Sequence, residues 1–288
     1  MSILHVGTVA NVIARERKSP FVRLFTKTPP GVLCPHFYEL ILSNGCPYNC
    51  AYCYLKLTFR GKKNPVVFTN SWKDVKAEID KYDSGVFSTG ELADSLAIIP
   101  PLLQETLEYF RKQERKHLLL TTKSCNVSFF GEIKPTPQVI ISFSVNAPEV
   151  ALKYEKLAPS PFERLRAASK LLEMGWRVRV RLDPIVIENN EGIELYRQIC
   201  REISFIGPER VTAGMLRQYP GLYRFTSEAP RKGLSKATDG RMRYPVFLRV
   251  KVYQMIAGWL NFAPALCKET DEVWELLGWQ FQGCNCTL

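Results

Sequence analysis

The fold is decided by residues 138–187, where two apolar strands flank one helix. QVIISFSV (138–145) and RVRVRLDPIVI (177–187) are rich in the β-branched residues that favour strands. The helix between them, SPFERLRAASKLLEM (160–174), starts with a Ser-x-x-Glu capping box, carries proline in its first turn and is followed by glycine. A strand, a helix and a second strand in this order predict a βαβ unit with parallel strands.

The same alternation continues on both sides of this unit. Further strands are predicted at 36–43, 84–89, 117–122 and 211–216, and further helices near 71–82, 100–113 and 191–204. The last part of the chain is expected to add a helix near 246–260, a short strand around 264–267 and a helix near 271–277. The six strand–helix units are too few to close the usual eight-stranded barrel.

The composition is that of an ordinary globular protein. Of 288 residues, 46% are hydrophobic and 23% charged, which excludes disordered, collagen-like and coiled-coil chains. No apolar run approaches the roughly 18 residues of a membrane span, and the N-terminus lacks the pattern of a secretory signal, so we expect a cytoplasmic protein. The pattern divides the chain into an N-terminal segment (1–35), an α/β region (36–220) and a C-terminal extension (221–288).

Three of the nine cysteines lie close together after the first predicted strand. Cys46, Cys50 and Cys53 have the spacing C-x3-C-x2-C, which can hold three irons of a cubane cluster. No fourth cysteine follows at ferredoxin spacing, so one iron is expected to stay open to another ligand. The alternative is a zinc knuckle, which usually has a second ligand pair about 12–20 residues further on. No such pair follows Cys53, and the spacing therefore favours a [4Fe–4S] cluster.

With Tyr52 directly before the third cysteine, this motif resembles that of the radical S-adenosylmethionine enzymes. The resemblance implies a partial, six-stranded (β/α) barrel, in agreement with the strand count. It also implies that the open iron binds S-adenosylmethionine and that an electron, from a donor such as flavodoxin or ferredoxin, cleaves this cofactor. The resulting 5′-deoxyadenosyl radical would abstract a hydrogen atom from the substrate.

The resemblance also assigns residues to cofactor binding. The family has a Gly-Gly-Glu-like turn after the second strand that holds the methionine amino group, and Ser88-Thr89-Gly90-Glu91 occupies this place. It implies that Ser88, Gly90 and Glu91 bind the cofactor and that Tyr52 packs near the adenine. The alternatives are a solvated loop acid for Glu91 and plain core packing for Tyr52.

Within this superfamily the chain looks most like the spore photoproduct lyase-related group. The similarity lies in CAYCYL, FSTGELADSLAI, LLLTTKSCNV, ISFSVN and RLDPIVI, which follow one another within about 36–190. It implies that Lys123 and Ser144 contact S-adenosylmethionine, although Lys123 has an alternative as a surface charge. The lyase carries a hydrogen-donating cysteine just before the binding turn, whereas residues 86–89 are Val-Phe-Ser-Thr. We therefore expect the cofactor chemistry of the group without efficient repair of spore photoproduct.

Three further cysteines form a second group near the C-terminus. Cys267, Cys284 and Cys286 have the spacing C-x16-C-x-C, which favours an auxiliary iron–sulfur cluster. Cys34 and Cys200 are candidates for a fourth ligand, although Cys200 lies on the apolar side of a predicted helix and is expected in the core. The alternative is a buried cysteine and a disordered tail with incidental thiols.

The charge balance indicates an anionic partner. The chain has 39 basic and 28 acidic residues, and nine basic residues lie between Arg217 and Lys251 with tyrosine and phenylalanine interleaved. Such a segment suits phosphates and stacked bases, and its alternative is a solvated loop. The sequence thus leaves two functions: a radical enzyme with an anionic substrate such as a nucleic acid or nucleotide, or a non-catalytic iron–sulfur or zinc protein that binds nucleic acid.

Overall fold

The computed structural model describes residues 3–5, 11–62 and 64–288, and its centre is an eight-stranded sheet. The strands of this sheet are β1 (Val22–Leu24), β2 (Tyr38–Leu40), β3 (Gly85–Ser88), β4 (Lys116–Thr122), β5 (Val139–Val145), β6 (Arg177–Ile185), β7 (Arg210–Met215) and β8 (Ala265–Leu266). Strands β2 to β8 are parallel, and β1 is antiparallel to β2. All six predicted strands are confirmed as parallel members of one sheet.

The order of strands across the sheet follows their order in the chain without reversal. Because crossovers between parallel strands are right-handed, this order places the crossover helices on one face of the sheet. The sequence analysis missed β1, whose three residues are too few to show a periodic pattern of their own. The short strand expected around 264–267 is confirmed as β8, which joins the same sheet.

Eight α-helices accompany the sheet in the described residues. They are α1 (Leu55–Thr58), α2 (Trp72–Ile79), α3 (Leu103–Arg111), α4 (Pro148–Tyr154), α5 (Pro161–Glu173), α6 (Tyr196–Ile206), α7 (Val246–Leu260) and α8 (Asp271–Leu277). Six of them were predicted, whereas α1 and α4 were missed because they are too short to show helical periodicity. The chain also forms 3-10 helices at Ser128–Glu132, Asn190–Ile193 and Pro220–Arg224.

The capping box of α5 is present as predicted. The backbone N–H of Glu163 donates to the Ser160 hydroxyl at 3.3 Å, and the backbone N–H of Ser160 donates to the Glu163 carboxylate at 2.7 Å. Two N–H groups that the helix cannot satisfy are thereby bonded. This end of α5 fixes where the chain returns towards β6.

Short strands tie the loops to this framework. Ile3–His5, Asn11–Arg15, Val66–Phe68 and Ser43–Asn44 form a four-stranded sheet. The two-residue pairs are Asn49–Cys50 with Glu155–Lys156, and Val32–Leu33 with Glu269–Thr270. Arg217–Gln218, Met242–Arg243 and Ser235–Lys236 form a three-stranded sheet. No helix in the described part of the chain is long and apolar enough to cross a membrane.

The two faces of the main sheet differ in chemistry. Along β6, Val178, Val180 and Leu182 are fully buried against the crossover helices. The alternate positions Arg179, Arg181 and Asp183 lie on the opposite face because side chains alternate along a strand. The register places Ser144 of β5 and Thr212 of β7 on either side of Arg181. The face without helices is therefore polar towards the carboxyl ends of its strands.

The C-terminal tail, residues 284–287, lies on this polar face. The side-chain amide of Asn285 donates to the Ser142 hydroxyl at 2.8 Å, and its carbonyl oxygen accepts from Thr212 at 2.6 Å. Arg179, which is fully buried, donates to the backbone carbonyl of Asn285 at 3.0 Å. The tail is thus held by specific hydrogen bonds, and the alternative of a disordered tail is wrong.

Candidate functional site

The three clustered cysteines lie on the loop between β2 and α1. The N–H of Gly45, at the start of the loop, donates to the carbonyl of Leu92 at 2.7 Å, and the N–H of Ala51 donates to the carbonyl of Tyr154 at 2.7 Å. Cys50 itself pairs with Glu155 in a short antiparallel ladder. The loop is therefore anchored on one side to the segment after β3 and on the other to the segment after α4.

The donor set of this loop fits an iron–sulfur cluster. Cys50 is buried, and Cys46 and Cys53 are half-buried. Burial raises the pKa of all three thiols, and Lys123 opposes this effect at Cys50 and Cys53. Burial makes a free thiolate costly, and binding to a metal offsets this cost. Within the described residues, no three Cys, His, Asp or Glu side chains converge on a single ion. The thiolates of a cubane bind separate irons and need not converge in this way.

The predicted cofactor-binding turn directly follows β3. A Cβ atom on Gly90 would lie 2.5 Å from the Cβ of Thr121, so only glycine allows this close approach to β4. Ser88 is buried, and Glu91 is half-buried with its backbone carbonyl accepting a hydrogen bond from the hydroxyl of Tyr54. The turn is thus packed between the end of β4 and the cysteine loop.

Lys123 and Ser144 lie at the carboxyl ends of the next two strands. The backbone N–H of Lys123 donates to Asp94 at 2.6 Å, which fastens the end of β4 to the segment after β3. Ser144 is buried, and its carbonyl accepts from Arg164 at 3.1 Å. Because the carboxyl ends of parallel strands meet at one edge, the cysteine loop, the Glu91 turn, Lys123 and Ser144 share that edge.

A buried carboxylate that the sequence did not reveal lies beneath this edge. Glu155 accepts hydrogen bonds from Tyr52 and from Asn146 (3.1 Å), and its carboxylate lies 2.6 Å from Arg164 and 3.6 Å from the ammonium of Lys123. Burial alone would raise its pKa, but Lys123 and Arg164 outweigh burial and lower the pKa to about 2. Glu155 therefore remains ionised and holds Tyr52 and Lys123 in place.

The position of Tyr52 agrees with the packing alternative. Its ring lies against the main apolar core and its hydroxyl bonds to Glu155. Contact with an adenine ring stays a prediction. Nothing near Tyr52 in the sequence points to Glu155, which lies 103 positions further along the chain.

The C-terminal cysteines lie at the same polar face of the main sheet. Arg181 donates to the sulfur of Cys286 at 2.8 Å, and the N–H of Cys286 donates to the sulfur of Cys284 at 3.4 Å. The side chain of Cys284, together with Arg181, lowers the pKa of the Cys286 thiol. Arg217 donates to the sulfur of Cys267 at 3.2 Å.

The two candidate fourth ligands differ in position. Cys34 packs in the same apolar cluster as the tail cysteines, whereas Cys200 is fully buried in the core around α6, as expected. Arg181, which contacts the sulfur of Cys286, has a signal in the sequence. Charged residues occupy every second position of RVRVRLD (177–183), which indicates a strand with one polar face.

The basic segment is only partly a free surface. Four of its nine basic side chains lie inside the protein against carboxylates: Arg217 with Asp183, Arg241 and Arg243 with Asp239, and Arg249 with Glu269. The other five are exposed: Arg224, Arg231, Lys232, Lys236 and Lys251. Tyr244 is buried and cannot stack on a base. A count of charges in the sequence cannot separate these two groups.

Comparison with known proteins finds similarity to one family. The family model for "Spore photoproduct lyase" matches residues 34–232, more than half of the chain. Spore photoproduct lyase of Clostridium acetobutylicum is 25% identical over 203 residues, which cover 68% of this chain and 59% of the relative. The lyase of Bacillus subtilis is also 25% identical over 203 residues, covering 67% and 58%. The chain thus spans less than two thirds of the length of these relatives.

Solved structures share the fold. Spore photoproduct lyase complexed with dinucleoside spore photoproduct matches with a TM-score of 0.72 and 17% identity, over 88% of this chain and 81% of that chain. Streptococcus suis SuiB bound to S-adenosylmethionine matches with a TM-score of 0.54 and 11% identity, over 85% and 53%.

The cysteine loop and the family match together define the class, that of the radical S-adenosylmethionine enzymes. Within this class, the chain belongs to the spore photoproduct lyase family.

Proposed function

We propose that this chain is a radical S-adenosylmethionine enzyme that abstracts a hydrogen atom from an anionic substrate, a nucleic acid or nucleotide. Cys46, Cys50 and Cys53 would hold a [4Fe–4S] cluster. When bound, the cluster and S-adenosylmethionine supply the electron transfer and the 5′-deoxyadenosyl radical chemistry. The observation that carries the proposal is the meeting of the three thiols with the Glu91 turn and Lys123 at one edge of the sheet.

The residues of the chain would divide the binding of S-adenosylmethionine between them. The turn with Ser88, Gly90 and Glu91 would hold the amino group, since a carboxylate and backbone groups suit an ammonium ion. Lys123 and Ser144 would contact the remainder of the cofactor from the next two strand ends. Tyr52 would border the adenine while its hydroxyl stays on Glu155.

The finer fold belongs to the same proposal. A parallel sheet whose strands follow chain order, with helices on one face, supports a partial six-stranded (β/α) barrel extended by β1 and β8. In such barrels the carboxyl ends of the strands surround the active site. The electron would come from a partner protein such as flavodoxin or ferredoxin.

The substrate class is supported by the relatives and by charge. One related structure holds a dinucleoside spore photoproduct. In this chain five cations of the basic segment are exposed and take no part in its internal ion pairs. Both observations favour a substrate that contains nucleotides.

Cleavage of S-adenosylmethionine tests the proposal. Protein reconstituted with iron and sulfide under anaerobic conditions should form 5′-deoxyadenosine after reduction. The triple variant Cys46→Ala/Cys50→Ala/Cys53→Ala should form none, because the cluster loses its protein ligands. Cys125→Ala, which removes a neighbouring thiol outside the motif, is the matched control and should cleave as the parent does. Cleavage that persists in the triple variant would refute the assignment.

The non-catalytic alternative makes a different prediction. A zinc or iron–sulfur protein that only binds nucleic acid would retain nucleic-acid binding, but its cluster spectrum would not change when S-adenosylmethionine is added. A spectral change on addition of the cofactor excludes this alternative, because it requires the open iron.

A further inference from the structure

Two segments that are distant in sequence meet beside the cysteine loop. One consists of α1 and the turn after it, and the other begins with the 3-10 helix Pro220–Arg224. A Cβ atom on Gly61 would lie 3.3 Å from the ring of Phe225, and a Cβ atom on Gly221 would lie 3.3 Å from Leu57. The segments are therefore in direct van der Waals contact, and both carry exposed side chains at this place.

This surface concentrates positive charge. We use the name basic rim for five of its exposed cations: Arg60, Lys62, Arg224, Arg231 and Lys232. Within residues 11–62 and 64–288 none of these five forms an ion pair. Glu228, the acid nearest to them in the sequence, is bonded to Lys156 at 2.9 Å. The basic rim therefore keeps its charge available to an anion.

Two exposed tyrosines, Tyr54 and Tyr219, directly precede these segments. Tyr54 follows the last cysteine of the loop and is 39% exposed, while its hydroxyl donates to the carbonyl of Glu91. Tyr219, directly before the 3-10 helix, is 41% exposed and has Arg241 over its ring at 5.3 Å. Exposed aromatic rings next to free cations are the two elements that single-stranded nucleic acids need: stacking for bases and charge for phosphates.

We propose that the basic rim binds the phosphates of a DNA strand and that Tyr54 and Tyr219 stack on its bases beside the cysteine loop. The inference rests on the proposed function, because it assigns the surface that delivers that enzyme's substrate. It also separates the cations of the basic segment by role. Arg217, Arg241, Arg243 and Arg249 stabilise the fold through internal carboxylates, and only the exposed cations bind the strand.

Salt-dependent binding tests the basic rim. A fluorescein-labelled single-stranded 12-mer is titrated with the reconstituted protein between 50 and 200 mM KCl, and anisotropy gives the association constant. Arg60→Gln/Arg224→Gln/Arg231→Gln should weaken binding about ten-fold. It should also reduce the slope of log K against log salt by about 2, because each lost phosphate contact on a single strand contributes about 0.7.

The matched control removes the same charge elsewhere. Lys73, Lys81 and Lys112 are exposed around α2 and α3. Their triple change to Gln should leave both affinity and slope within two-fold of the parent. An equal loss in both triple variants would show that only net charge matters and would overturn the proposal, as would unchanged binding in the rim variant.

Tyr219→Ala separates stacking from charge. It should weaken binding about five-fold or more with an unchanged salt slope, because stacking releases no counterions. An unchanged affinity would remove the tyrosine from the proposal. Thermal unfolding of every variant confirms that each is folded. Binding is measured without turnover, so the rim can fail while cleavage of S-adenosylmethionine succeeds, and the reverse.

Discussion

Glu155 shows how much of the site depends on a single buried carboxylate. Four side chains converge on it: Tyr52, Lys123, Asn146 and Arg164. Its partners come from the cysteine loop, the ends of β4 and β5, and α5. The carboxylate therefore links the cysteine loop to the ends of the strands.

Replacing Glu155 by Gln should destabilise the protein by about 3–5 kcal/mol, because the fully buried guanidinium of Arg164 then loses its counter-ion. Chemical denaturation measures this effect. Glu228→Gln, which breaks an exposed ion pair with Lys156, is the control and should leave the midpoint unchanged. Equal midpoints for all three proteins would show that Arg164 does not need the carboxylate.

Ser88 carries a prediction about the reaction. It lies buried at the end of β3, in the stretch where the lyase that this chain resembles has its hydrogen-donating cysteine. The product radical should therefore lack its donor, and reaction with dinucleoside spore photoproduct should give side products. Chromatography of the products measures this, and Ser88→Cys should raise the fraction of thymine. Clean restoration of thymine by the parent protein, at the rate of a genuine lyase, would contradict the prediction.

Residue-level prediction from the sequence works where a motif is local. The cysteine motif and the Ser88–Glu91 turn are each one short continuous stretch of sequence. The structure places both at one edge of the main sheet. Glu155 and Arg164 are different, because each acquires its role only from partners that folding brings from distant parts of the chain. Charged residues at the ends of helices ordinarily indicate solvent, so their burial leaves no trace in the sequence.

At the level of elements, periodicity and caps predict well when an element is long. The bounds of α7 and α8 match the prediction, and α5 has its predicted capping box. The four-residue α1 and the strand pair at Cys50 are set by tertiary contacts instead. The cysteine loop is thus recognisable from its ligands but not from its own secondary structure.

The C-terminal tail carries a prediction of its own. If Cys267, Cys284 and Cys286 bind an auxiliary cluster, fully reconstituted protein should contain about eight irons per chain instead of about four. Iron and sulfide analysis measures this. Cys284→Ala/Cys286→Ala should return the count to about four. A parent count of about four that does not change in this variant would leave Cys286 as a structural partner of Arg181 and Cys284 as a partner of the Cys286 N–H.

At the scale of the whole molecule, buried arginine–carboxylate pairs determine the response to acid. Burial alone would raise the pKa of Glu155 and Glu209, yet cationic partners lower both to about 2. The pKa values of Asp183 and Asp239 are also lowered against burial, chiefly by Arg217 and Arg243. Native pKa values below those of the unfolded chain give a stabilisation that is complete above about pH 4.5.

This stabilisation should disappear as the pH falls from about 4.5 towards about 2, because protonation then favours the unfolded chain. Urea denaturation at several pH values should show the midpoint falling through this window. Glu155→Gln should flatten the fall, since it removes one of the titrating groups. A midpoint that does not change with pH over this range would contradict the pairing.

The net charge of +11 predicts an anionic partner but does not show where such a partner would bind. Charge counting treats all nine basic residues of the segment 217–251 alike. The fold places four of them against carboxylates and brings the stretch around Arg224 into contact with α1, which lies more than 150 positions earlier in the chain. Composition predicts an anionic partner, whereas only the fold separates the paired cations from the exposed ones.

The sequential order of the strands has a consequence for the course of folding. Each strand of the main sheet pairs with its neighbour in the chain, so every pairing closes only one connection. The tail is the exception, because Asn285 and its neighbours bond to Ser142, Arg179 and Thr212, between 73 and 143 positions away. Closing such long loops costs more chain entropy and requires the strands to be present first. We therefore expect the polar face around Arg181 and Cys286 to assemble late, after the apolar side of the sheet has already condensed.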